Sequence, residues 1–437
     1  NGVVRFDIKN YDRNADLVID PLTRVWSLSA GGATLDRAEG VTVDVLGNLT
    51  IAGRTSSTNF PATVGAMQTA NAGRFDAMVM QFNASTGALN WATYYGGAMD
   101  DQAQGLAADG AGNINVVGYT TSTNLPTTAG AFQPAANTQG DGFILQLSAS
   151  GARNWATYYG GAGNDQLMGV DVLNNNSIVV AGRTFSTGMA TTGAAQPALG
   201  GNRDALVAVF TSGGARQWAT YFGGVNDDQG LAVTADDNDN IILVGLTGSN
   251  SLATNGATQT TNNGSNDAFV AKYNASGARQ WSTYYGGSGT DFANAVSYDA
   301  SGNIFVVGQT SSTAGFGTLN AFQTANNGLT DGFVLGLSPS GARLMASYLG
   351  GSGTDQATSV DVIGSNVYVI GATNSPASTG GATDFRLINP NATNLPFQSA
   401  NAGAFDLFVV KINATNFTRT WSIVYGGTAD EVGRSVF

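Results

Sequence analysis

The chain has 437 residues, 42% of them apolar, which excludes a disordered polymer and leaves enough material for a large core. Only 11% of the residues are charged and the net charge is −12 with no basic cluster, so neither nucleic acid nor an anionic membrane surface is an expected partner. Cys and His are both absent, which removes thiol nucleophiles, disulfides, Ser–His–Asp triads and nearly every zinc site. No apolar run reaches the roughly 18 to 20 residues a spanning helix needs.

Residues 1–24 hold two short apolar runs, at 3–8 and 16–19. They fit either strands that complete a unit begun at the other end of the chain, or the tail of an upstream domain. From residue 25 one unit recurs, so the division is 1–24 and 25–437. A Gly-Gly pair starts at Gly31, Gly96, Gly160, Gly223, Gly286, Gly350 and Gly426, at spacings of 65, 64, 63, 63, 64 and 76. A fixed period of this kind decides the architecture before any local reading does. Each pair follows a segment led by a large apolar residue: Trp26, Trp91, Trp155, Trp218, Trp281, Met345 and Trp421. An acidic loop comes after it.

Within a unit the order predicts four strands. The first is small and partly apolar, as at 294–298. The turn Asp299-Ala-Ser-Gly302-Asn303 follows, with Gly and Asn supplying the positive φ of a tight hairpin. Residues 304–307 are the second strand. A polar connection then leads to a third strand, as at 269–273, and a Ser-Gly-Ala-Arg turn to the Trp strand. The second and third runs are nearly unbroken in apolar residues, so both faces should be covered. The first runs are rich in Gly and Ala, as crowding near an axis demands. The reading is an all-β β-propeller of seven four-stranded blades of about 64 residues. The seventh is expected from 431–437 at one end and three strands from 1–29 at the other, an arrangement that would hide open sheet edges.

The run Tyr285-Gly-Gly-Ser-Gly-Thr-Asp291, continued by Tyr298-Asp-Ala-Ser-Gly-Asn-Ile-Phe-Val-Val-Gly308-Gln-Thr310, resembles the bacterial SBBP-type β-propeller repeat, and related copies stand at 95–120 and 159–184. The lead-in at 11–21 resembles the segment joining an upstream β-rich domain to such repeats, which favours placing residues 1–20 in that domain. The resemblance implies a large secreted or cell-surface bacterial protein, often type IX secretion cargo or an adhesion module, and it transfers no catalytic residues.

Several motifs carry candidate chemistry. Trp faces stack on sugars, so the repeated Trp is either a ring of glycan platforms or blade-to-blade packing; recurrence in every unit favours packing. Asp76, Asp141, Asp204, Asp267, Asp331 and Asp406 precede the third strands, and Asp101, Asp165, Asp228, Asp291 and Asp355 follow the Gly-Gly pairs. Equivalent positions give like environments, whereas glycoside hydrolysis needs two unlike carboxyls. These Asp residues are therefore expected to accept backbone N–H bonds at turns. Asp236-Asp-Asn238-Asp-Asn240 faintly resembles a calcium loop but lacks the Gly at the sixth position and the distal Glu. No metal or cofactor is expected. The final interval is the longest, and its extra length falls near 374–404; Asp384, Phe385, Arg386, Leu387 and Ile388 in it are the candidate partner-binding loop. The expected function is a non-catalytic extracellular scaffold that binds or displays protein or glycan within a larger surface assembly. The alternatives are a structural spacer or filament subunit, and a propeller-type polysaccharide lyase or hydrolase.

Overall fold

The computed structural model describes residues 29–436 apart from 138, 319–320, 379–383 and 389–399. Six four-stranded antiparallel sheets follow one another along the chain. The first holds β1 (Asp36–Val43), β2 (Asn48–Thr55), β3 (Asp76–Asn83) and β4 (Leu89–Tyr95). The second holds β5 (Asp101–Ala108), β6 (Ile114–Thr120), β7 (Asp141–Leu147) and β8 (Arg153–Tyr159). The third holds β9 (Asp165–Val172), β10 (Ile178–Thr184), β11 (Asp204–Phe210) and β12 (Arg216–Phe222). The fourth is β13 (Asp228–Ala235), β14 (Ile241–Thr247), β15 (Asp267–Tyr273) and β16 (Arg279–Tyr285). The fifth is β17 (Asp291–Tyr298), β18 (Ile304–Thr310), β19 (Asp331–Leu337) and β20 (Arg343–Leu349). In the sixth, β21 (Asp355–Ile363) and β22 (Asn366–Thr373) pair with β25 (Asp406–Asn413) and β26 (Arg419–Tyr425), and the short parallel pair β23 (Ala377–Ser378) and β24 (Phe385–Arg386) lies between them in sequence.

Each sheet is a blade of a β-propeller. The core lies between sheets, as the unbroken apolar second and third strands require. One buried cluster joins Val117 and Ile144 of the second blade to Ile178, Val180 and Leu206 of the third, and others span neighbouring blades in the same way. First strands of consecutive blades touch one another, so they form the innermost layer around the axis.

Every first strand carries a bulge after its third residue, so that Ala103 and Gly105, for instance, pair with Gly118 and Val117 while Gln104 is left over. A bulge bends the strand and re-aims the extra side chain. It also brings the partner strand so close that a Cβ on Gly118 would stand 2.0 Å from the Gln102 carbonyl oxygen. Glycine at this second-strand position, which the sequence marks with Gly308 and its equivalents, is thus a requirement of the bulge.

The number of blades differs from expectation. Among the described residues there are six, not seven. The three strands assigned to the start of the chain fall at 3–8, 16–19 and 25–29, of which all but Ser29 lie outside the described residues. Residues 431–436 form no ladder, since no second strand among the described residues pairs with them. They nevertheless run along the inner edge of the sixth blade: Thr358 Oγ1 donates to the Gly433 carbonyl at 2.5 Å, as Asn294 Nδ2 donates to the Ala357 carbonyl at 2.9 Å one junction earlier.

Candidate functional site

Two carboxyl groups meet at every blade junction. Asp141, at the head of β7, accepts N–H bonds from Asn137 at 2.7 Å and from the Gln133 amide at 3.0 Å. Asp165, at the head of β9 in the next blade, accepts from the Gly161 N–H at 2.7 Å, from Ser186 Oγ at 2.7 Å and from Thr184 Oγ1. The first glycine of the Gly-Gly pair sits between them: a Cβ on Gly160 would lie 2.2 Å from Asp141 Oδ1 and 2.8 Å from Asp165 Oδ2. The same crossing of Asp, Gly and Asp recurs at Gly96, Gly223, Gly286 and Gly350, and at Gly426 with Glu431 in place of the second Asp. The Asp carboxyls are buried, and burial, opposed by the hydrogen bonds, pushes Asp101, Asp141 and Asp267 up to about 6 and Asp331 to about 7. The neighbouring carboxylate Asp355 adds to the rise at Asp331. Both carboxyls thus serve as turn acceptors, the third-strand Asp for the connection before it and the first-strand Asp for the Gly-Gly turn.

The Trp residues tie one blade to the next. The Trp91 indole N–H donates to the Ala149 carbonyl at 3.0 Å, Trp155 to Ser212 at 2.8 Å, Trp218 to Ala275 at 2.8 Å and Trp281 to Pro339 at 3.1 Å. Each acceptor belongs to the turn before the last strand of the following blade. The indole lies on that turn's glycine, which has positive φ; a Cβ on Gly151 would be 2.7 Å from Trp91 Cδ2. A sugar therefore finds this face of the ring already occupied. At the fifth junction Met345 replaces Trp and is fully buried, while Phe417, at φ 59°, stands where the other turns have glycine. Phe417 packs against the cluster that holds Met345 and lies 6.4 Å from the Phe305 ring. Volume lost on one side of the contact is restored on the other. Trp421 is half-buried and packs edge-on to Tyr368 at 6.5 Å; Trp26 lies outside the described residues.

Residues 90–126 and 280–317 match the SBBP β-propeller repeat. The chain carries SBBP β-propeller repeats. No curated protein sequence matches it. Among solved structures it is similar to Sqt1 from Chaetomium thermophilum, at 10% identity and a TM-score of 0.40, covering 92% of this chain and 74% of that one. It is also similar to a protein of unknown function from Dyadobacter fermentans, at 12% identity and a TM-score of 0.39, covering 76% and 89%. A gluconolactonase from Xanthomonas campestris is similar at 11% identity and a TM-score of 0.29, covering 62% and 68%. At these values the likenesses bear on neither activity nor partner.

In the propeller the candidate loop 384–388 is less open than its sequence suggests. Phe385 and Leu387 are buried, 0% and 2% exposed, so they are not available to a partner. The parallel pairing of β24 with β23 turns Phe385 inward against Phe408, ring centroids 4.9 Å apart. It occupies the place that Phe60, Leu125, Met189 and Leu252 hold in earlier blades, where a Tyr hydroxyl accepts the backbone N–H. In the sixth blade Val424 replaces that Tyr, and the Phe385 N–H turns to the Pro376 carbonyl at 2.6 Å. Ile388 is half-buried and exchanges backbone bonds with Ser422, and half-buried Asp384 accepts from Ser378 Oγ at 2.6 Å. Of the five, only Arg386 presents its side chain openly.

The turn at 236–240 holds its own cation. Asp236 accepts the Asn238 and Asn240 N–H groups at 3.0 and 2.9 Å and pairs with Lys272 Nζ at 3.1 Å, both side chains 5% exposed. Despite burial, the Asn240 hydrogen bonds and Lys272 hold its carboxyl below the usual range. That ammonium answers the charge a calcium ion was suggested to meet.

Sequence reasoning missed the inner ring. The bulge residues Glu39, Gln104, Met168, Leu231, Asn294 and Thr358 occupy equivalent places on successive first strands and are half-buried. The residue two before each bulge is also half-buried, giving Arg37, Gln102, Gln166, Gln229, Phe292 and Gln356. The repeat positions were visible in the sequence, but the bulge depends on strand pairing, and so does the engagement of Gln102 by Arg54 and of Gln166 and Gln229 by Arg183.

Proposed function

We propose that the SBBP propeller is a non-catalytic binding or display scaffold for protein or glycan partners, working outside the cell or on its surface within a larger assembly. The observation that carries this reading is the employment of the carboxyl groups: five Asp pairs, and Asp406 with Glu431 at a sixth turn, accept main-chain and side-chain donors in the same arrangement. A frame of closely similar junctions, altered at the fifth by Met345 and Phe417, leaves most variation to the connecting loops, where a rigid scaffold meets partners. Localisation rests on the Asn/Thr/Ser-rich, Lys-poor composition and on the repeat type.

Two measurements test the proposal. A glycan array and a surface-protein capture with the whole chain are expected to return a saturable ligand, while a screen on bacterial and plant polysaccharides returns no cleavage. Cleavage that survives repurification would replace the scaffold by the lyase or hydrolase reading. Ordered self-association in electron micrographs, without ligand, would favour the spacer or filament.

A further inference from the structure

In an Asn-Gly dipeptide the side-chain amide can react with the next main-chain nitrogen, because glycine sets no side chain beside that nitrogen and leaves the backbone free to turn. Among the described residues the dipeptide stands at Asn255-Gly256, Asn263-Gly264 and Asn327-Gly328. The three are alike in sequence, and the fold treats them differently.

Asn263 and Asn327 belong to the turns before third strands. Their N–H groups donate to Asp267 at 3.0 Å and to Asp331 at 3.1 Å. The N–H that would have to attack is committed as well: that of Gly264 donates to Asn262 Oδ1 at 3.0 Å, and that of Gly328 to Asn326 Oδ1 at 2.9 Å. Both glycines press on the loop that follows the next Gly-Gly pair. A Cβ on Gly264 would lie 2.0 Å from the Gly289 carbonyl oxygen, and one on Gly328 2.1 Å from that of Gly353. The backbone there has little room to rearrange.

Asn255 escapes both restraints. With Gly256 it forms the centre of a turn closed by the Ala257 N–H, which donates to the Thr254 carbonyl at 3.1 Å. Gly256 has φ of 80°, the value of the second central residue in a type II turn, and nothing lies within 4 Å of the place a Cβ would take. Both residues are exposed, and the Gly256 N–H meets no acceptor among the described residues. The turn's shoulders are held firmly. Thr254 exchanges bonds with Ser282, and Thr258 Oγ1 donates to the Gly341 carbonyl of the next blade at 2.8 Å.

We propose that Asn255 is a site of spontaneous deamidation. The Gly256 nitrogen loses its proton to solvent and attacks Asn255 Cγ. The new N–Cγ bond closes a succinimide ring, the Cγ–Nδ2 bond breaks, and Nδ2 leaves as ammonia with a proton from water. A second water opens the ring. Attack at Cγ restores the main chain and leaves Asp; attack at the main-chain carbonyl carbon leaves isoaspartate, whose main chain runs through Cγ. Either product sets a carboxylate in the exposed connection from β14 to β15, and the second lengthens the turn by a methylene. The reaction stands apart from the scaffold reading and needs only water.

The test is to age the whole chain in warm, mildly alkaline buffer and map its peptides by mass spectrometry, with fragment spectra that locate each change. Asn255 is expected to convert to both products. Asn263 and Asn327 are expected to react about tenfold more slowly, the rate consequence of first breaking a hydrogen bond. In urea, with the fold gone, the three rates should converge. Asn255→Gln is expected to melt as wild type and to lose the early acidic species on ion exchange. An intact Asn255 after the unfolded chain has reacted would overturn the proposal, as would equal rates at all three sites in the folded protein. Survival of the acidic species in Asn255→Gln would place the reaction elsewhere. The same order of rates in urea would overturn the part assigned to the fold.

Discussion

The third strands of the second to fifth blades and that of the sixth have similar sequences but different surroundings. β7, β11, β15 and β19 are buried at every residue, whereas β25 alternates buried and half-buried along its length. The residue before the Gly-Gly pair tells the same story: Tyr95, Tyr159, Phe222, Tyr285 and Leu349 are at most 2% exposed, and Tyr425 is 43% exposed. A blade in the middle of the row has neighbours on both faces. The sixth has, among the described residues, the fifth blade on one face and only 431–436 along the inner edge of the other. Burial in this fold is a property of the neighbour, so identical strands contribute unequally.

Substitutions sharpen the contrast. Tyr159→Ala removes a side chain packed edge-on against Phe210 at 5.1 Å and is expected to lower unfolding free energy by about 3–5 kcal/mol. Tyr425→Ala is expected to cost under about 1 kcal/mol by the same urea titration. Equal costs would mean that the last blade is covered as fully as the others.

The buried carboxyl pairs give the next largest effect. The fold raises Asp331 from 3.8 to about 7, so the protonated form is the one it favours. The resulting stability is complete below about 3.8 and is lost as the pH climbs to about 7. Between pH 4.5 and 7.5 the wild-type chain is thus expected to lose about 1–3 kcal/mol more than Asp331→Asn, whose amide does not titrate. Parallel pH profiles for the two would show that Asp331 is ionised throughout.

A smaller effect tests the exchanged contact at the fifth junction. Met345→Trp alone is expected to overpack against Phe417, and Phe417→Gly alone to leave a void, each at about 1–3 kcal/mol. The double variant recreates the Trp-on-glycine contact of the other junctions and should recover most of that loss, with a coupling of about 1–2 kcal/mol. Strict additivity would show that the two positions do not compensate. Smallest of all, Arg386→Ala is expected to stay within about 0.5 kcal/mol of wild type in melts, because its backbone carbonyl and not its side chain receives Arg419 and Ser422. Loss of partner capture by this variant would assign the exposed guanidinium a binding role.

Much of this was legible in the residues. The Gly-Gly period located every described blade, and the turn Asp299-Ala-Ser-Gly302-Asn303 lies where the hairpin forms, Gly302 having φ of 75°. The Asp residues were expected to serve as turn acceptors, and they do. The candidate loop failed at Phe385 and Leu387, because an insertion looks like a surface loop until its apolar residues are seen to fill the same plug as Phe60 and Leu125. Phe417 went unnoticed because its partner, Met345, lies in the preceding blade and more than one repeat strand away.

Sequence alone determined the unit: its four strands and their turns, set by local rules that act over a few residues. Tertiary structure decided which copies have neighbours, how many blades stand among the described residues, and that Glu39, at the bulge of β1, meets Arg434. Those outcomes depend on contacts between residues as much as 395 positions apart, Glu39 and Arg434, which no local pattern encodes.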